Sequence, residues 1–171
     1  MPASYRLTLS VLAVLVGLQV HVTAAEDCKG SCAAWRKQCD RAIAALVAGV
    51  RGTTIASETD SEEELKEGWQ ALHHPNATAF SVYCGQDGIA VNAEWKDAFP
   101  PAAFFDLIDQ AGSIVTRRPL SVIQSAAARC HEQALVDEDH IIETEIDGVD
   151  YQCKAGEKWK GTSITILKPR A

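Results

Sequence analysis

The chain has 171 residues, of which 47% are hydrophobic, and its formal net charge is −7. This length predicts one domain, and the hydrophobic content argues against disorder along most of the chain. The negative charge disfavours nucleic acid as a partner, because phosphates need a basic surface, and it disfavours a polybasic membrane anchor.

Residues 1–24 have the pattern of a secretory signal peptide that is cleaved. Arg6 supplies the positive n-region, residues 7–16 form the apolar h-region, and residues 22–24 are small enough for cleavage. The alternative is a retained membrane anchor, but the apolar run is shorter than the roughly 20 residues that a spanning helix needs. No later segment is long and apolar enough to span a membrane, so we expect a periplasmic or secreted protein.

The cysteines form an even set in an oxidising compartment, which predicts structural disulfides. Their spacing lacks the short clusters of zinc sites and the C-x-x-C pair of redox proteins. The residues alone leave the connectivity open. The six are Cys28, Cys32, Cys39, Cys84, Cys130 and Cys153.

The first helix is predicted from about residue 33 to residue 50, with Ser31 as its N-cap. Apolar residues recur at helical spacing in this segment, and Gly49 and Gly52 end it. Cys39 lies on the apolar stripe, so its partner should come from the core side.

A second, short helix is predicted to begin at the acidic capping box of residues 61–64. Leu65, Trp69 and Leu72 form its apolar stripe. His73 and His74 then occupy the helix end, and the proline that follows stops the helix.

The middle of the chain predicts a hairpin followed by two helices. Residues 80–84 and 89–95 alternate between apolar and polar side chains around a turn at residues 85–88, as hairpin strands do. A helix follows from Pro101 to about Arg117, and its Gly112 favours close packing.

The last predicted helix begins at a capping-box pattern, Ser121 with Gln124, and runs to about Leu135. Residues 142–146 and 149–153 then alternate around Asp147-Gly148, a strong hairpin signal, and residues 163–167 form a third strand.

These elements predict one α+β domain. About four helices pack with a β-hairpin and a C-terminal antiparallel meander, and disulfides stabilise the whole. Residues 25–135 form the mainly helical part with the internal hairpin. Residues 136–171 form a C-terminal β extension of the same domain.

The sequence offers no motif for catalysis or cofactor binding. G-x-S-x-G, the P-loop and G-x-G-x-x-G do not occur. His131, Asp137 and His140 could in principle hold a metal, but H-E-x-x-H and H-x-H spacings are absent. His131 follows Cys130 and is expected to point away from the buried stripe. We therefore expect a protein that is not an enzyme and has no metal and no cofactor.

Trp159 is the candidate for contact with a partner. It stands between Lys158 and Lys160 in a predicted loop, and an exposed tryptophan is a common anchor in protein interfaces. The alternative is a tryptophan that folds back over the C-terminal sheet. The other three tryptophans lie on predicted apolar faces and are expected in the core: Trp35, Trp69 and Trp95.

The order of features resembles the Rap/Tai family of small periplasmic immunity proteins, which protect bacteria from type VI-secreted peptidoglycan amidases. The resemblance covers about residues 33–135 and rests on the order of helix, cysteine and proline break. Its parts are the helix with Cys39 (residues 39–50), the aromatic-x-Cys segment (80–84), the apolar helix (104–115), the break at Arg118-Pro119 and the helix closing on Ala134-Leu135.

The resemblance implies a non-enzymatic protein that binds and blocks an effector, with a peptidoglycan amidase as the partner and homodimers as a common assembly. It also implies a structural Cys39–Cys84 pair. We favour Cys130–Cys153 beside it, since both pairs join a helix to the sheet, which leaves Cys28–Cys32. The alternative function is an envelope or host-interface adaptor that uses the β tail as a pairing edge. A hydrolase or a metal-binding protein is the least favoured interpretation.

Overall fold

The computed structural model describes residues 31–57, 68–85 and 88–169, with the backbone alone for residues 31–36. None of the helices in these residues combines the length and hydropathy needed to cross a membrane. The helices are α1 (Ser31–Gly49), α2 (Ala102–Thr116) and α3 (Leu120–Val136), and the strands are β1 (Thr54–Ile55), β2 (Trp69–His73), β3 (Ala79–Gly85), β4 (Gly88–Trp95), β5 (Ile141–Ile146), β6 (Val149–Gly156) and β7 (Gly161–Pro169).

All seven strands form one antiparallel sheet in the order β1-β2-β3-β4-β7-β6-β5. The predicted hairpin is β3–β4 and the predicted meander is β5–β6–β7, so both are confirmed. They belong to the same sheet, because β7 pairs with β4 along its whole length, from Gly88↔Pro169 to Trp95↔Thr162. The hairpin and the meander therefore meet at the centre of the sheet.

The three helices pack on one face of this sheet. Alternate residues of each inner strand point toward the helices, as the two-residue period of a strand requires. The fully buried side chains on the strands include Val82, Val91, Tyr151, Ile164 and Ile166, and those on the helices include Leu46, Phe104, Leu107, Ile108 and Ile123.

Two disulfides tie the helices to the sheet. Cys39–Cys84 joins α1 to β3, and Cys130–Cys153 joins α3 to β6; the Cα atoms are 5.8 Å apart in each pair. Both predicted pairings are confirmed. Cys28 and the side chain of Cys32 lie outside the described residues, so their pairing stays a prediction.

The predicted helix through Leu65, Trp69 and Leu72 is wrong for its second half. Residues 69–73 form strand β2, in which Leu72 pairs with Phe80 of β3. Backbone pairing with the neighbouring strand β3 prevails over the three- and four-residue spacing of so few apolar residues. Residues 61–67 lie outside the described residues. The described residues contain three α-helices where about four were predicted.

Three local predictions also need correction. Ser31 is the first residue of α1 rather than its N-cap. Ser121 lies inside α3, whose N-cap is Pro119 without a side-chain capping bond. His73 ends strand β2 and His74 follows it, so neither lies at a helix end. The bounds of α2 and α3 agree with the prediction to within two residues.

Candidate binding surface

The face of the sheet opposite the helices is the candidate binding surface, which we call the open sheet face. In the described part of the chain, no helix covers this face. The register of paired strands assigns its residues. Its two central rows are Trp69, Tyr83, Ala90, Leu167, Asp150 and Glu145, and beside them Ala71, Ser81, Asn92, Thr165, Gln152 and Glu143.

One end of the open sheet face is aromatic. The rings of Trp69 and Tyr83 lie side by side on β2 and β3, with centroids 5.2 Å apart. Both are half-buried, so each combines an apolar ring with a polar tip that a partner can contact. Trp69 was expected in the core. It lies on the open sheet face because residues 69–73 form a strand rather than the predicted helix, and side chains of a strand alternate between the two faces of the sheet.

The middle of the open sheet face is a fixed polar cluster. Asn92 Oδ1 accepts hydrogen bonds from Ser163 Oγ and Thr165 Oγ1, both at 3.0 Å. Asn92 Nδ2 donates to Glu94 Oε1 at 3.3 Å. These bonds link β4 to β7 and hold the side chains of the face in one arrangement.

The other end of the open sheet face is acidic. Glu143, Glu145 and Asp150 border a cavity of about 460 Å³ that Gln152 also lines. Gln152 Nε2 donates to Glu143 Oε1 at 2.6 Å, which orients that carboxylate. Among the described residues, Glu143, Glu145 and Asp150 form no ion pair, so the cavity favours a positively charged group.

Trp159 lies on the 3₁₀ turn Glu157–Trp159 between β6 and β7. It has a feature of each predicted alternative, the exposed tryptophan and the tryptophan that folds back. It folds back, because its Nε1 donates to the Asp139 carbonyl at 3.2 Å, yet it remains 39% exposed. Lys158 forms an ion pair with Asp139 at 3.0 Å, and Lys154 Nζ lies 4.8 Å from the Trp159 ring centroid. Lys160 is exposed. Contact of Trp159, Lys158 and Lys160 with a partner stays a prediction.

His131 is buried rather than directed to solvent, which corrects the prediction. Its Nε2 donates to the Ala98 carbonyl at 3.1 Å, and the centroids of its ring and of the Phe105 ring lie 5.2 Å apart in a T-shaped arrangement. Burial lowers the pKa of His131, while the bond to Ala98 and the charge of Glu132 act against that shift. The His131 side chain therefore joins α3 to the loop before α2.

The other two residues considered as metal ligands, His140 and Asp137, form hydrogen bonds with nearby backbone atoms. His140 Nδ1 donates to the Ala134 carbonyl at 3.2 Å, and Asp137 Oδ1 accepts from the Asp139 backbone N–H at 2.9 Å. Among the residues that the structure describes, no three His, Cys, Asp or Glu side chains converge as metal ligands.

The open sheet face was not predicted from the sequence. Its signal was present in the polar partners that alternate with core residues, such as Gln152 in β6 and Thr165 in β7. Strand order was needed to bring them together. Comparisons with protein families, curated proteins and solved structures found no match to this chain.

Proposed function

We propose that the chain is an exported, non-enzymatic binding protein of the immunity or inhibitor type that blocks a cell-wall-degrading effector. The open sheet face carries this proposal, because it offers exposed carboxylates at one end and half-buried aromatic rings at the other for contact with another protein. The signal-peptide pattern of residues 1–24 and the two disulfides support export.

Rigidity is one property that suits the open sheet face to binding. Cys39–Cys84 and Cys130–Cys153 join two of the three helices to the sheet behind it. A surface that is already ordered loses little conformational entropy when a partner docks. A blocking protein benefits directly, since affinity then comes from contacts rather than from refolding.

The composition of the open sheet face indicates the chemistry of the partner. Trp69 and Tyr83 at one end offer aromatic anchors, which are frequent at the energetic centre of interfaces. The carboxylates near Asp150 at the other end attract basic groups. The partner surface that fits best is basic with an apolar border.

A capture experiment with a matched pair of variants tests the proposal. The mature chain is used to capture partners from the envelope fraction of the source. Gln152→Arg places a bulky cation at the acidic end of the open sheet face, and Gln124→Arg makes the same change on the exposed side of α3. We expect Gln152→Arg to lose the captured protein and Gln124→Arg to retain it.

Two outcomes contradict the proposal. Capture of nothing argues against a binding function in the envelope, and equal capture by both variants argues against this face. Thermal unfolding of both variants checks that neither change has disrupted the fold.

Protection against an effector is tested separately. A cell-wall hydrolase gene next to this one would supply the effector to test: co-expression of this chain should then reduce the toxicity of the hydrolase, and Gln152→Arg should restore it. If toxicity is unchanged and no complex forms, the immunity function is wrong.

The edge of the sheet supports the second candidate, an envelope or host-interface adaptor. β5 is the last strand in the sheet order, so its outer edge is unpaired among the described residues, and such an edge can accept a strand from a partner. In that case binding would survive Gln152→Arg, and the amides of residues 141–146 would gain protection from hydrogen exchange.

A further inference from the structure

The open sheet face has a third row of side chains toward the turn between β6 and β7. The strand register places Lys154 beside Ser163 of β7, and Ser163 beside Glu94 of β4. Lys154 belongs to this face because its neighbour Cys153 points the other way, into the core, where it is bonded to Cys130. This row therefore adds a cation to the open sheet face.

Lys154 also brings the Trp159 turn to the border of the face. The Lys154 ammonium lies 4.8 Å from the centroid of the Trp159 ring, and the Lys158 ammonium lies 5.9 Å from it. Both distances lie within the range of cation–π attraction. Lys160 follows the ring along the chain and is exposed. We call Lys154, Lys158, Trp159 and Lys160 the basic corner.

The basic corner is ordered by its own contacts. The Trp159 indole N–H donates to the Asp139 carbonyl at 3.2 Å, and Lys158 forms an ion pair with the Asp139 carboxylate at 3.0 Å. Side chains that are already ordered lose little entropy when a ligand binds. Within the described residues Lys154 and Lys160 form no ion pair, so both charges can attract a ligand.

The charge changes sign along the open sheet face. Asp150 and Lys154 stand on the same side of β6, four residues apart, which is roughly 13 Å along a strand. Glu145 and Glu143 of β5 pair with Asp150 and Gln152 and belong to the acidic end. The face therefore presents carboxylates on one side and ammonium groups on the other.

This arrangement of charges discriminates among partners. An anionic membrane or a polyanionic glycan lying across the face would meet the carboxylates as well as the ammonium groups, and the net charge of −7 would oppose its approach. A protein surface that carries an acidic and a basic group, spaced like Lys154 and Asp150, would meet an opposite charge at both. The charges thus favour a protein partner that carries both signs.

We propose that the basic corner binds an acidic segment of the partner protein, while the acidic end of the open sheet face binds a basic segment. This inference rests on the proposed function and adds an orientation to it, because a partner rotated by half a turn would place like charges together. The exposed ring of Trp159 supplies apolar contact beside the lysines, as tryptophan does at many interfaces.

A synthetic peptide with glutamates at one end and arginines at the other tests the basic corner. It is titrated into the isotopically labelled exported chain, and NMR spectra follow the indole N–H of Trp159 and the backbone amide of Asp150. The variant Trp159→Phe identifies the indole signal by removing it. We expect both signals to shift, and we expect a peptide of the same composition with alternating charges to bind more weakly.

A matched pair of lysine substitutions shows where the acidic half of the peptide binds. Lys154→Glu reverses a charge in the basic corner, and Lys37→Glu makes the same change on the exposed surface of α1. Lys154→Glu should raise the dissociation constant of the peptide roughly fivefold or more, and Lys37→Glu should leave it unchanged. Lys160→Glu, at an exposed position of the turn, should act like Lys154→Glu. Thermal unfolding checks that each variant is folded.

Equal binding of the peptide by wild type, Lys154→Glu and Lys160→Glu would overturn the proposal, and so would an indole signal that does not shift. Binding to anionic phosphatidylglycerol vesicles in place of the peptide would overturn it in favour of a membrane surface. The capture experiment with Gln152→Arg separates this inference from the proposed function. If Gln152→Arg abolishes capture while the peptide fails to bind, the proposed function stands and the basic corner is wrong. If the peptide binds while nothing is captured, the basic corner stands and the proposed envelope partner is wrong.

Discussion

Asp109 of α2 and Tyr151 of β6 are two polar side chains buried in the core. Asp109 is 5% exposed and Tyr151 is 1% exposed, and within the described residues Asp109 Oδ1 and Tyr151 Oη have no hydrogen-bond partner. Burial, with a smaller contribution from the charge of Asp106, raises the pKa of Asp109 to about 7. Burial first, and then Asp109 and Asp147, raise the pKa of Tyr151 to about 12 against the opposing charges of Arg118 and Arg129.

Asp109→Asn should remove a pH dependence of stability. The folded pKa of Asp109 lies above the ordinary 3.8, so the folded chain holds an extra proton between those values. The free energy of unfolding should therefore fall as pH rises from about 4 to 7, by at most about 1.4 kcal/mol per pH unit, and level off above. Urea unfolding of both proteins across this range measures the difference.

Asp106→Asn is the control for this prediction, because Asp106 is exposed on the same helix and should leave most of the slope. His131 has a lowered pKa and contributes the opposite slope, since its stabilisation is lost as pH falls below 6.5. That contribution is common to wild type and variant and cancels in the comparison. Identical slopes for wild type and Asp109→Asn would contradict the assignment.

At the scale of elements, Gly112 sets how closely α2 approaches the sheet. A Cβ at this position would lie 2.6 Å from Ile166 Cδ1 and 3.0 Å from Ile123 Cγ2. The sequence predicted that Gly112 favours close packing, and the structure confirms it. Glycine has a lower helix propensity than alanine. It is required at position 112 because Ile166 and Ile123 occupy the space that a Cβ atom would need.

Gly112→Ala should therefore destabilise the fold by about 1–3 kcal/mol, although alanine favours helices. Ile166→Val removes the Cδ1 atom that meets the new Cβ and alone should cost about 0.5–1.5 kcal/mol. The double variant should cost less than the sum of the two single variants, as measured by urea unfolding. Additive costs would show that the two side chains do not meet.

The two disulfides show how an element's periodicity can indicate a pairing before the fold is known. Cys39 lies on the apolar stripe of α1, and Cys130 lies on that of α3. Their partners, Cys84 and Cys153, lie at buried positions of alternating strands. Periodicity placed all four toward the core, but it could not choose which helix lies over which strand.

At the scale of the whole molecule, the fold depends on the junction between β4 and β7. These strands pair from Trp95↔Thr162 to Gly88↔Pro169 and lie in the interior of the sheet. Two helices and two strands separate them along the chain, so their pairing closes a long loop, which is costly before the contacts form.

A chain that ends at Leu135 should fail to fold. Without residues 136–171, β4 loses its neighbour β7 and α3 loses the strands that it covers, so the core between them would be exposed. Near-ultraviolet circular dichroism and urea titration should show no cooperative transition for the shortened chain and a cooperative transition for the full chain. A cooperative transition in the shortened chain would mean that residues 25–135 are independent of the β tail.

The sequence by itself determined the features that depend on local periodicity and turn chemistry. These include helices α2 and α3, the hairpin of β3 and β4, the meander after Asp147-Gly148 and the inward direction of Cys39 and Cys130. Each depends on residues that are close along the chain, so the pattern alone carries the information.

Only the tertiary structure decided which segments pair as strands and in what order the strands lie. Trp69 and Leu72 have a spacing that suits a helix, but strand β3 offers backbone hydrogen bonds that make the segment a strand. The open sheet face exists because β4, β7 and β6 align Asn92, Thr165 and Gln152 in one row. No local pattern specifies strand order, since it follows from which long-range contacts bury the most apolar surface together.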